Sequence, residues 1–232
     1  MAGMPSVAAA EASAVTPFST AAAGQALPPP WRFTTLPGIK NQTRYSLVKD
    51  GQSVVVRADA AASMASIVHP LNLDAGRFPI VSWSWKISNV LRDADIRTKA
   101  GDDYPARFYV LFDYDTGKLS FMQRMKLAIA RKRYGADVPT AALCYVWDGK
   151  AAAGTSAWSA YSDRVRMIVV ESGTGNLDRW RSEERDVAAD FRAAFGEEPP
   201  MVSGVAIVSD TDNTGESASA MFGDIAFRAA PK

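Results

Sequence analysis

The chain is predicted to be mainly β: an antiparallel β-sandwich of jelly-roll type with one or two inserted α-helices. Three observations point there. From Trp31 onward, short runs rich in Val, Ile, Phe, Tyr and Trp recur between turn residues. Only two segments carry helical periodicity. The sequence has neither the strand–helix alternation nor the Gly-rich phosphate loop of a nucleotide-binding α/β fold.

The elements follow in order. Residues 1–30 are rich in Ala, Ser and Pro and carry one charge, Glu11. They read as a disordered leader ahead of a single sandwich domain, 31–232. The stretches "AAAE" and "ASAV" hold small residues spaced as at an export-signal cleavage site. The alternative is therefore the tail of an export segment, which would place the protein in the periplasm or otherwise outside the cytoplasm. Next come Tyr45–Val48 and Ser53–Ala58, a hairpin in which Asp50-Gly51 supplies positive φ. Ser63–Val68 follows. In Pro79–Ile87, Val81, Trp83, Trp85 and Ile87 share one face and Ser82, Ser84 and Lys86 the other, so the strand has one dry side. Ala106–Tyr114 has aromatic residues on both faces and suits a strand covered on both sides. Ala141–Trp147, Arg164–Glu171, Val202–Ser209 and Ala218–Phe227 complete the strands.

Two helices interrupt them. "LDRWRSEERDVAADFRAAFG" aligns Leu177, Trp180, Ala188, Phe191 and Phe195 on one stripe, with Gly196 as the stop. "FMQRMKLAIARKRYG" aligns Phe121, Met122, Met125 and Ile129, and ends on Arg131, Lys132 and Arg133. Its basic last turn complements the helix dipole and reads as a solvated end rather than a patch for a membrane or an acidic partner.

Composition narrows the function classes. Lys and Arg number 26 against 25 Asp and Glu, which lends no support to nucleic-acid binding. Cys144 is the single cysteine and sits in the apolar run "ALCYVW", so it reads as a structural thiol. A lone His69 rules out zinc sites built from several histidines in one chain. Nothing approaches the ~20 apolar residues of a membrane span.

Four constellations could carry chemistry. "SDTDNTGE" gathers Asp210, Asp212, Asn213, Thr214 and Glu216 around Gly215. It opens like an EF-hand, but the twelfth position is Met221 and the following segment is strand-like, so an EF-hand is rejected. A calcium site of another kind on Asp210 and Asp212 stays open beside a plain polar turn. "RTKAGDDYPAR" holds Lys99, Asp102, Asp103 and Arg107. Arg107 alternates with Tyr109 and Leu111 in a strand and needs a partner, either Asp113 or the acids of "DTDNTGE". "YSDRVR" supplies Asp163, Arg164 and Arg166, and two arginines on one strand face can hold a carboxylate or phosphate. Trp147 and Trp158, at or near loops, are candidate stacking platforms for a sugar, whereas Trp83 and Trp85 belong to the core.

The segments "FPIVSWSWKI", "RTKAGDDYPARFYVLFD", "SDRVRMIVVESG", "ERDVAADFRAAFGEEPP" and "VSDTDNTGESASAMFGDI" together resemble the domain of unknown function 3047 family. The resemblance runs from about Trp31 to Phe227. It implies a bacterial protein, often exported, with no established activity or catalytic residue. The family's repeated motifs fall on Lys99, Gly101, Asp102, Asp103 and Arg107, and on Asp210, Asp212, Asn213, Thr214 and Glu216. The ending "MFGDIAF" is similar to the last strand of jelly-roll sugar-binding modules. The leading expectation is a non-catalytic module that binds a small polar ligand or glycan where "GDDYPAR" meets "DTDNTGE", with calcium as the one candidate cofactor. The alternatives are a carbohydrate-active enzyme with two of Asp102, Asp103, Asp210, Asp212 and Glu216 as its paired carboxylates, and a structural envelope protein.

Overall fold

The computed structural model describes residues 11–12, 15–134 and 138–231. Its strands are β1 (Glu11–Ala12), β2 (Arg32–Thr34), β3 (Arg44–Asp50), β4 (Ser53–Ala61), β5 (Met64–Leu73), β6 (Ile80–Ile87) and β7 (Tyr104–Phe112). Helix α1 (Phe121–Tyr134) precedes β8 (Ala141–Asp148), β9 (Ser156–Ser159), β10 (Ser162–Ser172) and β11 (Arg181–Asp186). Helix α2 (Val187–Phe195), β12 (Val202–Asp210) and β13 (Ser217–Arg228) close the chain.

The strands form two sheets. Sheet one runs β11-β6-β13-β4-β3, with β1 beside β13; sheet two runs β2-β5-β12-β7-β8-β10-β9. Pairing is antiparallel except between β8 and β10, which run parallel. The chain leaves β8, forms β9 beyond β10, and turns back antiparallel into β10. That excursion supplies the crossover a parallel neighbour requires.

The period-two pattern of β6 becomes the centre of the core. Trp83 and Trp85 face sheet two and are buried. Trp83 lies 4.7 Å from Phe108 and 5.2 Å from Tyr145, and Trp85 lies 6.1 Å from Trp147. Burying rings of this size is the main drive for closing the two sheets, at about 25 cal/mol per Å² of apolar surface. A smaller cluster covers the outer face of sheet two. There Tyr104, Cys144, Val146, Met167 and Val169 pack with Ile96, which comes from the loop 88–103. Cys144 is fully buried, and burial pushes its thiol up to about 12, as suits an inert packing residue.

Two sequence expectations need correction. The long helix expected from Leu177 is a strand in its first half. Arg181–Asp186 pairs with β6 along its whole length, Glu183 opposite Trp83. Charged residues suit this strand because it is the sheet's edge. Glu183 turns inward and accepts the indole N–H of Trp85 at 3.2 Å. Helix α2 starts only at Val187, where Asp186 accepts from Ala189 N, and it ends at Gly196 in the left-handed region. Trp180, expected on the buried stripe, is partly exposed.

The second correction is the domain boundary at Trp31. Val15 and Phe18 are buried, the Trp31 indole donates to Thr16 O, and the Asp224 carboxylate accepts from the N–H groups of Phe18 and Ser19. Composition does not reveal that two buried apolar side chains and these hydrogen bonds dock such a segment. The remainder of the leader, residues 1–10 and 13–14, lies outside the described residues. Among the described residues, no helix is long and apolar enough to cross a membrane.

Candidate functional site

The loop 88–103 and the turn 211–216 meet at one end of sheet two. Three local features bring them there. Tyr104 and Asp210 face each other across the β7–β12 pair, so the residues just outside both strands share a rim. Gly215, with φ 73°, lets the turn close, and its N–H donates to Thr211 O at 3.0 Å. Gly101 presses against the neck of its own loop, where an added Cβ would lie 2.5 Å from Asp95 N.

Arg107 is the hub of the rim. It projects from the outer face of β7 and is buried together with Asp102, Asp103 and Asp210. Its guanidinium donates to Asp210 Oδ1 at 2.8 Å and Oδ2 at 2.5 Å, to Asp102 Oδ1 at 3.0 Å, and to the Asp102 carbonyl. Its Cζ lies over the Tyr104 ring, 4.6 Å from the ring centroid. Of the partners the sequence offered, the acids of "DTDNTGE" supply Asp210. Asp113 does not take part, since it follows β7 at the far end of the strand.

The rim holds more negative charge than Arg107 can balance. Asp103 accepts the Thr214 N–H through Oδ2 at 2.6 Å, while its buried Oδ1 has no partner among the described residues. Asp103, Asp210 and the exposed Asp212 each offer an oxygen within 4.8 Å of the others. Burial pushes the Asp210 carboxyl up to about 7; Arg107 opposes the shift, and Asp103 and Asp102 add to it. Burial and the charge of Asp103 raise Asp212 in the same way. This donor set is all oxygen, with carboxylates that repel one another, and it fits a hard divalent cation of calcium type better than a soft metal.

The other rim residues fall in place around this cluster. Asn213 donates to Tyr161 Oη at 2.9 Å, and the exposed Lys99 lies with its ammonium 5.2 Å from the Tyr161 ring. Glu216 accepts the N–H groups of Arg92 and Asp93 at 3.1 and 2.9 Å, so it ties down the covering loop. Tyr161 was not singled out from the sequence. It lies in the turn between β9 and β10, and its hydroxyl also donates to the Lys99 carbonyl at 3.4 Å.

Three predicted residues stand elsewhere. Trp147 is fully buried between the sheets, with its indole N–H donating to Gly173 O at 3.1 Å, so it cannot serve as a stacking platform. It belongs to the inner side of a covered strand, not to the loop that follows. Arg164 sits level with the start of β8, whereas Arg107 pairs with Val146 near its end. Five residues of strand separate the two levels, about 17 Å. Arg164 lies between the rings of Tyr114, at 4.1 Å, and Phe195, at 4.7 Å, and donates to Thr140 O. Asp163 beside it is exposed and reaches Lys126 at 3.5 Å. These two residues therefore do not join the rim site.

A concavity lies on the open face of sheet one, a groove of about 460 Å³ lined by residues that include Trp180, Asp50, Ser53, Ser84 and Asp224. Trp180 is held in place by its N–H bond to Asp50 Oδ2 at 2.6 Å, with Lys86 5.2 Å from the ring. The same Lys86 and the Trp180 N–H hold the Asp50 carboxyl below its ordinary range. The wet alternation of Ser82, Ser84 and Lys86 is a sequence signal for this open face. Trp180 escaped notice because its segment reads as helix.

Among solved structures the chain is similar to the K1 cleaved adhesin domain of Lys-gingipain from Porphyromonas gingivalis, at 10% identity and TM-score 0.37, over 93% of this chain and 97% of that one. It is also similar to the family 12 xyloglucanase from Bacillus licheniformis, at 12% identity and TM-score 0.47, over 96% of this chain and 100% of that one. No curated protein matches the chain. The sequence from residue 29 to 226 matches the family described as "Protein of unknown function (DUF3047)", and the chain belongs to that family.

Proposed function

We propose that this chain is a non-catalytic β-sandwich module that binds a polar, saccharide-class ligand at the rim, with a divalent cation of calcium type held by Asp103, Asp210 and Asp212. The observation that carries the reading is the buried Oδ1 of Asp103, without a partner among the described residues, on a carboxylate that lies close to two others. A buried carboxylate oxygen without a partner is costly, and a cation removes that cost. Asp102, Asp103, Arg107 and Asp210 are too buried to meet a saccharide themselves. Asp212, Asn213 and Lys99 reach the surface and offer acceptors and donors for sugar hydroxyls. An exported location goes with this reading, since calcium modules of modest affinity fill where calcium is plentiful.

The catalytic alternative is less well supported by the geometry. A glycoside hydrolase needs a carboxylic acid with a raised pKa facing a cleft. Asp210 has the raised value but is sealed by Arg107, and Asp50 faces a groove but is held low. A second place for the saccharide is the groove on sheet one, favoured by the fixed, half-open ring of Trp180.

The test is isothermal titration and thermal unfolding with calcium and a glycan panel, on the native chain and on Asp103→Asn. Calcium should raise the melting temperature, with the gain growing as the logarithm of its concentration above Kd and reaching about 2.7 kcal/mol of stability at a hundredfold excess. Asp103→Asn should lose most of that gain. Glycan binding that needs calcium places the ligand at the rim; binding that ignores calcium and is lost in Trp180→Ala places it in the groove. No calcium shift and no glycan heat would end the proposal.

A further inference from the structure

Helix α1 turns its apolar stripe to solvent. Phe121 is 67% exposed, Met122 59%, Met125 43% and Ile129 62%. The positions i, i+4 and i+8 of Phe121, Met125 and Ile129 place these side chains on one line along the helix, with Met122 beside it. Leu127 packs against the core from the other side. Surface helices ordinarily hide such a stripe, and an exposed one of this size marks a contact surface.

The helix is encoded locally. Ser120 Oγ accepts the Gln123 N–H at 3.2 Å and Gln123 Oε1 accepts the Ser120 N–H at 3.0 Å, a reciprocal cap of its first turn. All its charge is of one sign. Arg124, Lys126, Arg131, Lys132 and Arg133 lie in it and no acid does. Arg124, Lys126, Arg131 and Lys132 are exposed. Lys126 has a partner in Asp163 at 3.5 Å, a weak surface pair.

We propose that α1 is a membrane-surface element that lays its Phe121–Met125–Ile129 stripe into the headgroup region of an anionic bilayer, with its lysines and arginines on the acidic lipid heads. Apolar residues on one line flanked by cations, with no acid within the helix, are the composition of an interfacial helix. A second copy of the chain is a poor occupant, because it would bring two cationic helices together. A nucleic acid would leave the apolar stripe uncovered. The helix of 14 residues is about 21 Å long, too short to span and long enough to lie flat. The inference does not depend on the rim site.

Co-sedimentation with vesicles of neutral phosphatidylcholine and of phosphatidylcholine containing roughly a third phosphatidylglycerol tests it. Each cation near the surface contributes about 1 kcal/mol, close to fivefold. The anionic vesicles should therefore bind the full chain at least about tenfold more tightly than the neutral ones. High salt should remove most of that difference. Phe121→Ser with Ile129→Ser should lower binding to anionic vesicles by about tenfold or more. Circular dichroism and the melting temperature of the variant guard against misfolding. Equal binding to both vesicles, binding kept in the double variant, or no binding at all overturns the proposal. Self-association lost in the variant without vesicle binding would assign the stripe to a second copy; capture of an acidic protein without vesicle binding would assign it to that partner. Either result overturns the membrane reading.

Discussion

The two ends of sheet two carry opposite charge, handled in opposite ways. At one end Asp102, Asp103 and Asp210 are buried around Arg107, with Asp212 at the surface. At the other end, reached along the nine residues of β7, α1 displays cations and apolar side chains in the open. The chain as a whole holds 26 basic and 25 acidic residues. That near-balance is an average over two local imbalances. A composition argument weighs the total charge, while binding responds to where the charge stands. The buried end should govern stability and the exposed end association.

The sharpest way to break this contrast is Arg107→Met. It leaves Asp102 and Asp210 buried without their shared counter-charge, and removing one partner of a buried pair costs about 3–5 kcal/mol. Thermal unfolding should show a fall of roughly 10 °C in Tm. Calcium should return part of the loss if it occupies the neighbouring carboxylates. A cost below about 1 kcal/mol would mean that the rim is solvated like any surface loop.

Gly101→Ala should come next. The new methyl meets backbone at Asp95 N and Asp93 O, which cannot swing aside as a side chain could. A cost of about 1–3 kcal/mol is expected in urea unfolding. The strain falls on the loop that covers Tyr104 and Met167, so near-ultraviolet dichroism should change with it.

The rim was legible in sequence because its residues had few other places to go. An arginine alternating with Tyr109 and Leu111 inside a strand demands an acid, and "DTDNTGE" was the acid-rich stretch beside another strand end. The strands themselves were legible from period-two alternation, clearest in β6. What failed depended on pairing. "RSEERD" has no apolar period, so its neighbour α2 lent it a helical reading, and only β6 beside it makes it a strand. Trp147 stood at the end of an apolar run next to "DGK", where exposure and burial look alike in one dimension. The stripe on α1 was correctly aligned, but a stripe reports only that side chains share a face. Which way that face points is decided by the rest of the fold.

The third test concerns how the segment 15–31 is held, at His69. Its Nδ1–H donates to Pro70 O at 2.8 Å, leaving Nε2 to accept the Thr16 N–H at 3.0 Å, and the Trp31 ring lies 5.1 Å away. Burial lowers its pKa below the ordinary 6.5. Below about pH 6.5 the unfolded chain therefore takes up a proton that the native chain refuses. This contribution to stability is present above that pH and is lost as pH falls through the native pKa. His69→Leu should flatten the stability–pH curve as pH falls below about 6.5. An unchanged slope would mean that Thr16 and Trp31 do not depend on a neutral ring.

The smallest effect on stability is expected at the exposed end, and its smallness is the point. Phe121→Ser and Ile129→Ser remove large apolar side chains, a change that in the core costs several kcal/mol through lost burial and the cavity left behind. On α1 neither term applies, because both side chains are mostly solvated in the folded chain. The folded chain hides only about a third of each, so there is little transfer free energy to lose. Ser, Phe and Ile have similar helix propensities, so that term changes little. Unfolding free energy should therefore move by no more than about 0.5 kcal/mol, while solubility improves. A loss of about 2 kcal/mol or more would show that the stripe packs against the body in solution, and the two ends of sheet two would then differ in charge alone.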